Sequence, residues 1–398
     1  MKMKMEFLIQ NININNYSVL LLVISFTITY LMIPKLIAVI RYKNLMDNPN
    51  SRSSHVDKTP SLGGIAFYVS IIFCLFLIQW YDFVGISFNI IAALTILFIA
   101  GLKDDLVILS VKAKIFSQFL AVTLLLINAG IPIENFYGYL GLAEVPFWLN
   151  IGFCYFAMLS IINAYNLIDG IDGLAGMMGI LIFAVFGVVF YILYLHFYFL
   201  LALVPLGYLI AFLRYNVSKN RKIFMGDTGS MITGFLIGVL ALRFLSLEEV
   251  QLQTLHIQPE NVLLLTLGIL FILTTDTLRV VMIRLWHKKG LFKPDKNHVH
   301  HILIDTGLSH GATSFILTGY SIFMITLFYI INLYLPMLSL LLVISIAMFF
   351  TMAVLFHLKI KYRSQKLKPN IKIISTLKKP ILKIKLKRVF LQIFEIFF

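Results

Sequence analysis

Residues 174–213 read LAGMMGILIFAVFGVVFYILYLHFYFLLALVPLGYLIAFL. These 40 residues contain no Asp, Glu, Lys or Arg. They divide at Tyr194–His196 into two apolar runs, 174–195 and 198–213, each long enough or nearly so to cross a hydrocarbon core about 30 Å thick. Working outward, the same signal recurs at 17–40, 61–79, 89–101, 115–128, 147–162, 231–245, 261–278, 313–334 and 338–357. The reading is an all-α polytopic membrane protein of about eleven transmembrane helices. Composition agrees: 60% of the chain is hydrophobic, 13% is charged and the mean hydropathy is +0.92, which excludes an ordinary soluble protein. The expected organisation is an N-terminal segment 1–16, a membrane domain 17–357 and a basic tail 358–398. The first apolar run lacks a small-residue cleavage site after it and reads as a retained helix, not a signal peptide.

Charge orients the chain. One alternate set of loops carries Arg41, Lys43, Arg52 and Lys58, then Lys103, Lys112 and Lys114, then Arg214, Lys219, Arg221 and Lys222, then Arg284, Lys288, Lys289, Lys293 and Lys296. The other set, 80–88, 129–146, 196–197, 246–260 and 335–337, has no Lys or Arg. The positive-inside rule puts the first set in the cytoplasm. The N-terminus is then outside and the C-terminus inside. The net charge of +15 reflects this orientation and attraction to anionic headgroups, so no nucleic-acid partner is expected. Twelve Lys and Arg between Lys359 and Phe398, against the single acid Glu395, suit a segment lying on the inner membrane surface. Cys74 and Cys154 lie in apolar runs and read as small core residues.

Five polar segments interrupt the apolar chain, all on the face assigned to the cytoplasm. They are Asn48–Gly64, Lys103–Asp105, Asn163–Gly173, Gly226–Ser230 and His298–His301. An ionisable residue at membrane depth is costly and implies function. Asp104 and Asp105 are adjacent, so on a helix they point apart: one can face a site while the other is held by Lys or backbone donors. Asn163, Asn166, Asp169 and Asp172 recur every three residues, a spacing expected to stack the first three along one helix face. Their oxygens suit a hard cation such as Mg²⁺ that shares its substrate's phosphates. Asp227, between glycines and hydroxyls, marks a helix N-terminus where free N–H groups attract phosphate. Lys114 is placed to pair with phosphate or with lipid headgroups, and His298, His300 and His301 to donate hydrogen bonds to a phosphate or a sugar. Asp276 and Arg279, one turn apart, are expected to form an i,i+3 ion pair. A transporter would need polar residues along a path to both faces, and none gather on the other.

The segments, in this order, resemble the polyprenyl-phosphate N-acetylhexosamine-1-phosphate transferases, a superfamily that includes the phospho-MurNAc-pentapeptide transferases. The resemblance covers roughly 17–357 and rests most on NAYNLIDGIDGLA at 163–175. His298-Val299-His300-His301 looks like the His-x-His-His of the undecaprenyl-phosphate GlcNAc-1-phosphate branch. The resemblance implies a multi-pass enzyme of the bacterial inner membrane with its site on the cytoplasmic face. It implies transfer of an N-acetylhexosamine 1-phosphate from a UDP-N-acetylhexosamine to undecaprenyl phosphate, with UMP released. This would be the first membrane step of a cell-surface polysaccharide of the O-antigen, common-antigen or teichoic-acid-linkage type. It further implies Mg²⁺ or Mn²⁺, contact with membrane lipids, and allows a homodimer. By the same resemblance Asn166 and Asp227 hold the metal. Asp104 acts on the lipid phosphate with Asp105 in support, and Asp169 and Asp172 line the uridine and metal region. Asn163 and Lys114 belong to the substrate site, the three histidines bind diphosphate and sugar, and Lys58 and His55 lie at the lipid-phosphate entrance.

Overall fold

A computed structural model of the chain describes residues 13–43, 45, 59–82, 84–127, 146–288, 290 and 297–374, with side chains described to residue 361. The elements are helices: α1 (Ile14–Tyr42), α2 (Gly64–Tyr81), α3 (Ile86–Leu106), α4 (Val111–Ile127), α5 (Phe147–Ile168), α6 (Leu174–Ile192), α7 (His196–Asn216) and α8 (Gly226–Leu245). There follow α9 (Glu249–Thr254), a 3₁₀ turn Pro259–Asn261, α10 (Val262–Ile269), α11 (Phe271–Trp286), α12 (Val299–Asp305), α13 (His310–Asn332) and α14 (Met337–Ile374). Among the described residues, nine of these helices are long and apolar enough to cross a membrane. Pro259–Ile269 and Phe271–Trp286, bent by 75° at their junction, make a tenth if the pair is counted as one broken span. The chain is an all-α, multi-pass membrane protein. The remaining expected span, at 115–128, is α4; it has only 17 residues and carries Lys112 and Lys114 in its first turn.

Helix α8 is the central pole. In its apolar window 94% of residues are buried inside the protein, against 22% for α14 at the periphery. Its sequence explains this. Gly226, Gly229, Ser230, Gly234, Gly238 and Ala241 are small, and in lipid, where no hydrophobic force pulls helices together, small residues permit the close packing that does. Helices α2, α3, α5 and α6 pack around it. Two interior tyrosines are partnered: Tyr208 Oη and Thr233 Oγ1 are 3.2 Å apart, and Tyr165 Oη donates to Ala175 O at 2.7 Å.

This packing brings one end of each helix to one place. The C-terminal ends of α3 and α5 and the N-terminal ends of α4 and α8 meet there. After the bend at Leu270, α11 packs against α5 and α13 and carries the chain toward α12 at the same end. That end holds the polar segments.

Candidate active site

The site is built on the N-terminus of α8. The chain enters it at Gly226, in the left-handed region with φ +71°. A Cβ here would lie 2.1 Å from Ser61 O and 2.6 Å from an Asp105 carboxylate oxygen, so only glycine fits. The close neighbour is a cap. Asp105 Oδ1 accepts from Asp227 N at 2.7 Å, and Oδ2 accepts from Thr228 N at 3.1 Å and Thr228 Oγ1 at 2.6 Å. The first turn of a helix has unsatisfied N–H groups, and here a carboxylate from α3 satisfies two of them. Of the adjacent pair, Asp105 is the residue held by backbone donors.

Asp104 turns the other way. Its Oδ1 accepts from Leu109 N at 2.7 Å and its Oδ2 lies 3.1 Å from Lys114 Nζ. Lys114 also reaches Asp227 Oδ1 at 2.5 Å. Asn166 Nδ2 donates to the same Asp227 oxygen at 2.5 Å and to Ser230 Oγ at 2.6 Å. Four sequence candidates, Asp104, Lys114, Asn166 and Asp227, therefore share one cluster. Their side-chain exposures separate the acids: Asp104 is 9% exposed and Asp227 is 32% exposed. Asp227 is the acid open to an incoming ligand.

This donor set fits a hard cation that arrives with its own phosphates. Among the described residues no three His, Cys, Asp or Glu side chains converge as a ready metal cage. Mg²⁺ needs none, since it is commonly bound by one or two carboxylates plus substrate phosphates. Asp227 offers one, and turning the Asn166 amide over would place its oxygen where the nitrogen now points.

Three-residue spacing distributed the other polar residues differently from expectation. Asn163 does not join the cluster: it donates to Gln118 Oε1 on α4 at 2.8 Å and to Leu159 O at 2.7 Å. Asp169 caps the end of α5 close enough to Asp227, Asp105 and Asp172 to feel their charges. Burial, then that negative surround, pushes its carboxyl up to about 7. A carboxyl that binds its proton more tightly folded than unfolded lowers stability once pH rises past its unfolded pKa, and the full penalty is reached above its folded pKa. Asp169→Asn should therefore raise the melting temperature at pH 8, with the gain shrinking as pH falls from 7 toward 4. Melting curves of the two proteins across that range check this; a gain independent of pH would refute it.

Asp172 faces a separate cluster. Its Oδ2 lies 2.6 Å from Lys222 Nζ and 3.1 Å from His310 Nδ1, and its carbonyl accepts from Ser314 Oγ at 2.9 Å. Burial alone would raise this carboxyl, but the bonds from His310 and Lys222 outweigh it and hold it below the usual range. Asp172 thus ties the loop after α5 to the loop before α8 and to the start of α13.

The histidine segment opens α12. His298 Nδ1 lies 2.7 Å from Asp276 Oδ2, and Val299 N donates to Asp276 Oδ1 at 2.8 Å. The expected Asp276–Arg279 pair is present at 3.4 Å, but it is the longest of the Asp276 contacts. Arg279 also donates to Asn297 O, and Lys359 on α14 donates to Asn297 Oδ1. His300 is 1% exposed, and neither ring nitrogen has a hydrogen-bond partner among the described residues. Its ring covers Gly170, where a Cβ would lie 2.2 Å from Nε2. Burial drives the His300 imidazole down to about 3, so it is neutral at pH 7. His301 stacks on it at 4.3 Å between centroids, tilted by 47°. The histidines thereby abut the loop that carries Asp169. Gln118, Ser230, Lys222, His310 and Lys359 took part without being anticipated. Lys58 and His55 lie outside the described residues.

The stretch that holds the carboxylate cluster matches the profile of glycosyl transferase family 4 over residues 87–245. That region contains Asp104, Asp105, Lys114, Asn166, Asp169, Asp172 and Asp227, and the histidine turn lies beyond it. Similarity to individual proteins extends further. A probable undecaprenyl-phosphate N-acetylglucosaminyl 1-phosphate transferase of Bacillus subtilis is 27% identical over 292 residues, covering 71% of this chain and 76% of that protein. Undecaprenyl-phosphate alpha-N-acetylglucosaminyl 1-phosphate transferases of Salmonella typhi and Haemophilus influenzae are also similar. The first is 28% identical over 300 residues, with 73% and 77% covered; the second is 29% identical over 288 residues, with 69% and 76% covered.

Proposed function

We propose that this chain transfers N-acetylglucosamine 1-phosphate from its UDP donor to undecaprenyl phosphate and releases UMP, at the cytoplasmic face of a bacterial inner membrane. The observation that carries the reading is the Asp104–Lys114–Asp227–Asn166 cluster at one end of a membrane bundle. A long-chain lipid phosphate reaches the protein from the bilayer and a nucleotide sugar from water. Their phosphates must meet at the boundary, where this cluster lies. The names of the similar bacterial proteins support the same reaction.

The roles follow from geometry and charge. Asp227 and Asn166 would hold Mg²⁺ on the donor diphosphate, and the ion would supply neutralisation of charge on the departing UMP. Lys114, already between two carboxylates, is placed to donate to a phosphate oxygen as a third partner. Asp104, the more enclosed acid, acts on the lipid phosphate by orienting it or taking its proton. Asp105 acts by holding the first turn of α8, so that Asp227 and the turn's dipole face the diphosphate. Asp169 and Asp172 border the uridine side, Asp172 by fixing the loop. Asn163, bound to Gln118, fixes α5 against α4 one turn before Asn166. His298 and His301 are the histidines proposed to meet diphosphate and sugar, while His300, neutral and 1% exposed over Gly170, would reach them only once that ring is uncovered.

Purified protein in nanodiscs with undecaprenyl phosphate, UDP-N-acetylglucosamine and Mg²⁺ should release UMP, and chelation of the metal should stop it. The same mixture without the lipid phosphate should release none. UMP release that ignores the lipid, or survives chelation, would defeat the proposal.

A further inference from the structure

We infer that Asp276 is a positioning residue for the histidine turn, holding the His298 proton on Nδ1 and leaving Nε2 as the ring nitrogen available to substrate. This goes beyond an i,i+3 ion pair within α11, and the distances decide between the two. Asp276 Oδ2 is 2.7 Å from His298 Nδ1 and Oδ1 is 2.8 Å from Val299 N, whereas Arg279 Nη2 is 3.4 Å away. Both oxygens are used, one on the ring and one on the backbone. An ionised carboxylate accepts only, so the proton of that ring contact belongs to His298 Nδ1.

Both partners are more than nine-tenths buried, His298 at 5% and Asp276 at 6% exposure. A buried carboxylate on a membrane helix is costly to keep, and here it sets one side chain and the start of one helix. Arg279, one turn further along α11, holds Asn297 O. Residues 297, 298 and 299 are thus each gripped by α11. The orientation passes on, because the His298 and His300 rings are parallel to within 9° at 5.8 Å and His300 covers Gly170. A carboxylate behind a working imidazole, fixing tautomer and ring plane, is a general device for histidines that meet ions and phosphates.

What the turn binds rests on the proposed transferase reaction; the tautomer does not. The test therefore reads both. The full chain labelled with ¹⁵N-histidine in lipid is measured by solid-state NMR, with the His298 signal identified by its loss in His298→Gln. His298 should be protonated on Nδ1 in the parent. Asp276→Leu removes the acceptor at similar volume and should abolish that preference, and Asp276→Glu should restore it. In UMP release, Asp276→Leu should lower turnover about 10- to 100-fold, the usual loss when the partner of a working histidine is removed. In the His298→Ala background the same change should cost under about threefold, because the two residues act as one unit. Unchanged His298 protonation in Asp276→Leu, or losses that multiply in the double variant, would overturn the inference. Failure of both the Leu and Glu variants to fold would also overturn it, since the acid would then serve the fold. A parent that shows the Nδ1 proton but releases no UMP would reject the transferase reading and leave the positioning role standing.

Discussion

Asp227→Asn should abolish turnover while leaving the fold intact. The side chain accepts from Lys114 and Asn166 on one oxygen and is the most open acid of the cluster, at 32% exposure. An amide keeps the shape and one oxygen but removes the charge. Two functions go with it: the counter-charge to Lys114 and the carboxylate that a phosphate-bound cation needs. Removal of one preorganised electrostatic group typically costs about 10²–10³ in rate. With a metal also weakened, the loss should be at least about a hundredfold. The α8 cap is built by Asp105 on the backbone of Asp227 and Thr228, so the melting temperature should change little. UMP release at saturating Mg²⁺ and a melting curve check both halves. Near-parental turnover in a folded Asp227→Asn protein would remove this residue from the site.

The second large effect separates acceptor from donor. Asp104 is 9% exposed and 3.1 Å from Lys114, on the α3 side of the cluster, away from the Asn166–Ser230 contacts. Asp104→Asn should bind UDP-N-acetylglucosamine with Mg²⁺ as the parent does, because Asp227, Asn166 and the histidines remain. Its transfer rate should fall by about 10²–10⁴, the span usual for a positioned acid or base. Equilibrium binding of labelled donor, beside UMP release, reads the two apart. The same preparations decide the order of bond making. If the lipid phosphate attacks the donor directly, labelled UMP will not exchange into UDP-N-acetylglucosamine without lipid. Lipid-independent exchange that persists in Asp104→Asn and disappears in Asp227→Asn would mean a phosphorylated enzyme instead.

The membrane class and most of the helices were legible because hydropathy is a local signal, and polar or charged side chains at membrane depth singled out Asp104, Lys114, Asn166 and Asp227, which the structure gathers in one cluster. That Asp104 and Asp105 would take different tasks was legible too, since neighbours on a helix point apart. Which took which was not, because the answer depends on where Gly226–Thr228 arrives from 120 residues further on. The spacing of Asn163, Asn166 and Asp169 misled for a geometric reason. Steps of three on a helix of 3.6 residues per turn drift by about 60° each. Asn163 has therefore rotated toward Gln118 on α4 while Asn166 faces α8, and Asp169 lies past the helix end. The bend at Leu270 was hidden as well. The run 261–278 holds no proline, and its polar cluster Thr274–Thr277 lies past Leu270, so its sequence does not mark the place where the chain turns by 75°. Asp276 was matched to the residue three positions away; its closest partner, His298, is 22 positions on.

Helix α14 runs for 38 residues, about 57 Å at 1.5 Å per residue, nearly twice the thickness of a hydrocarbon core. Lys359 sits on it and grips the side chain of Asn297, next to His298. Only Met337–Lys361 of it is apolar enough to cross a membrane, so the helix continues well past the hydrocarbon core. Lys359 lies at that boundary, and Asn297 is held there from two sides, by Arg279 on α11 and by Lys359 on α14. The residue that leads into the histidine turn is thus moored to two separate helices at the level where the last one leaves the membrane.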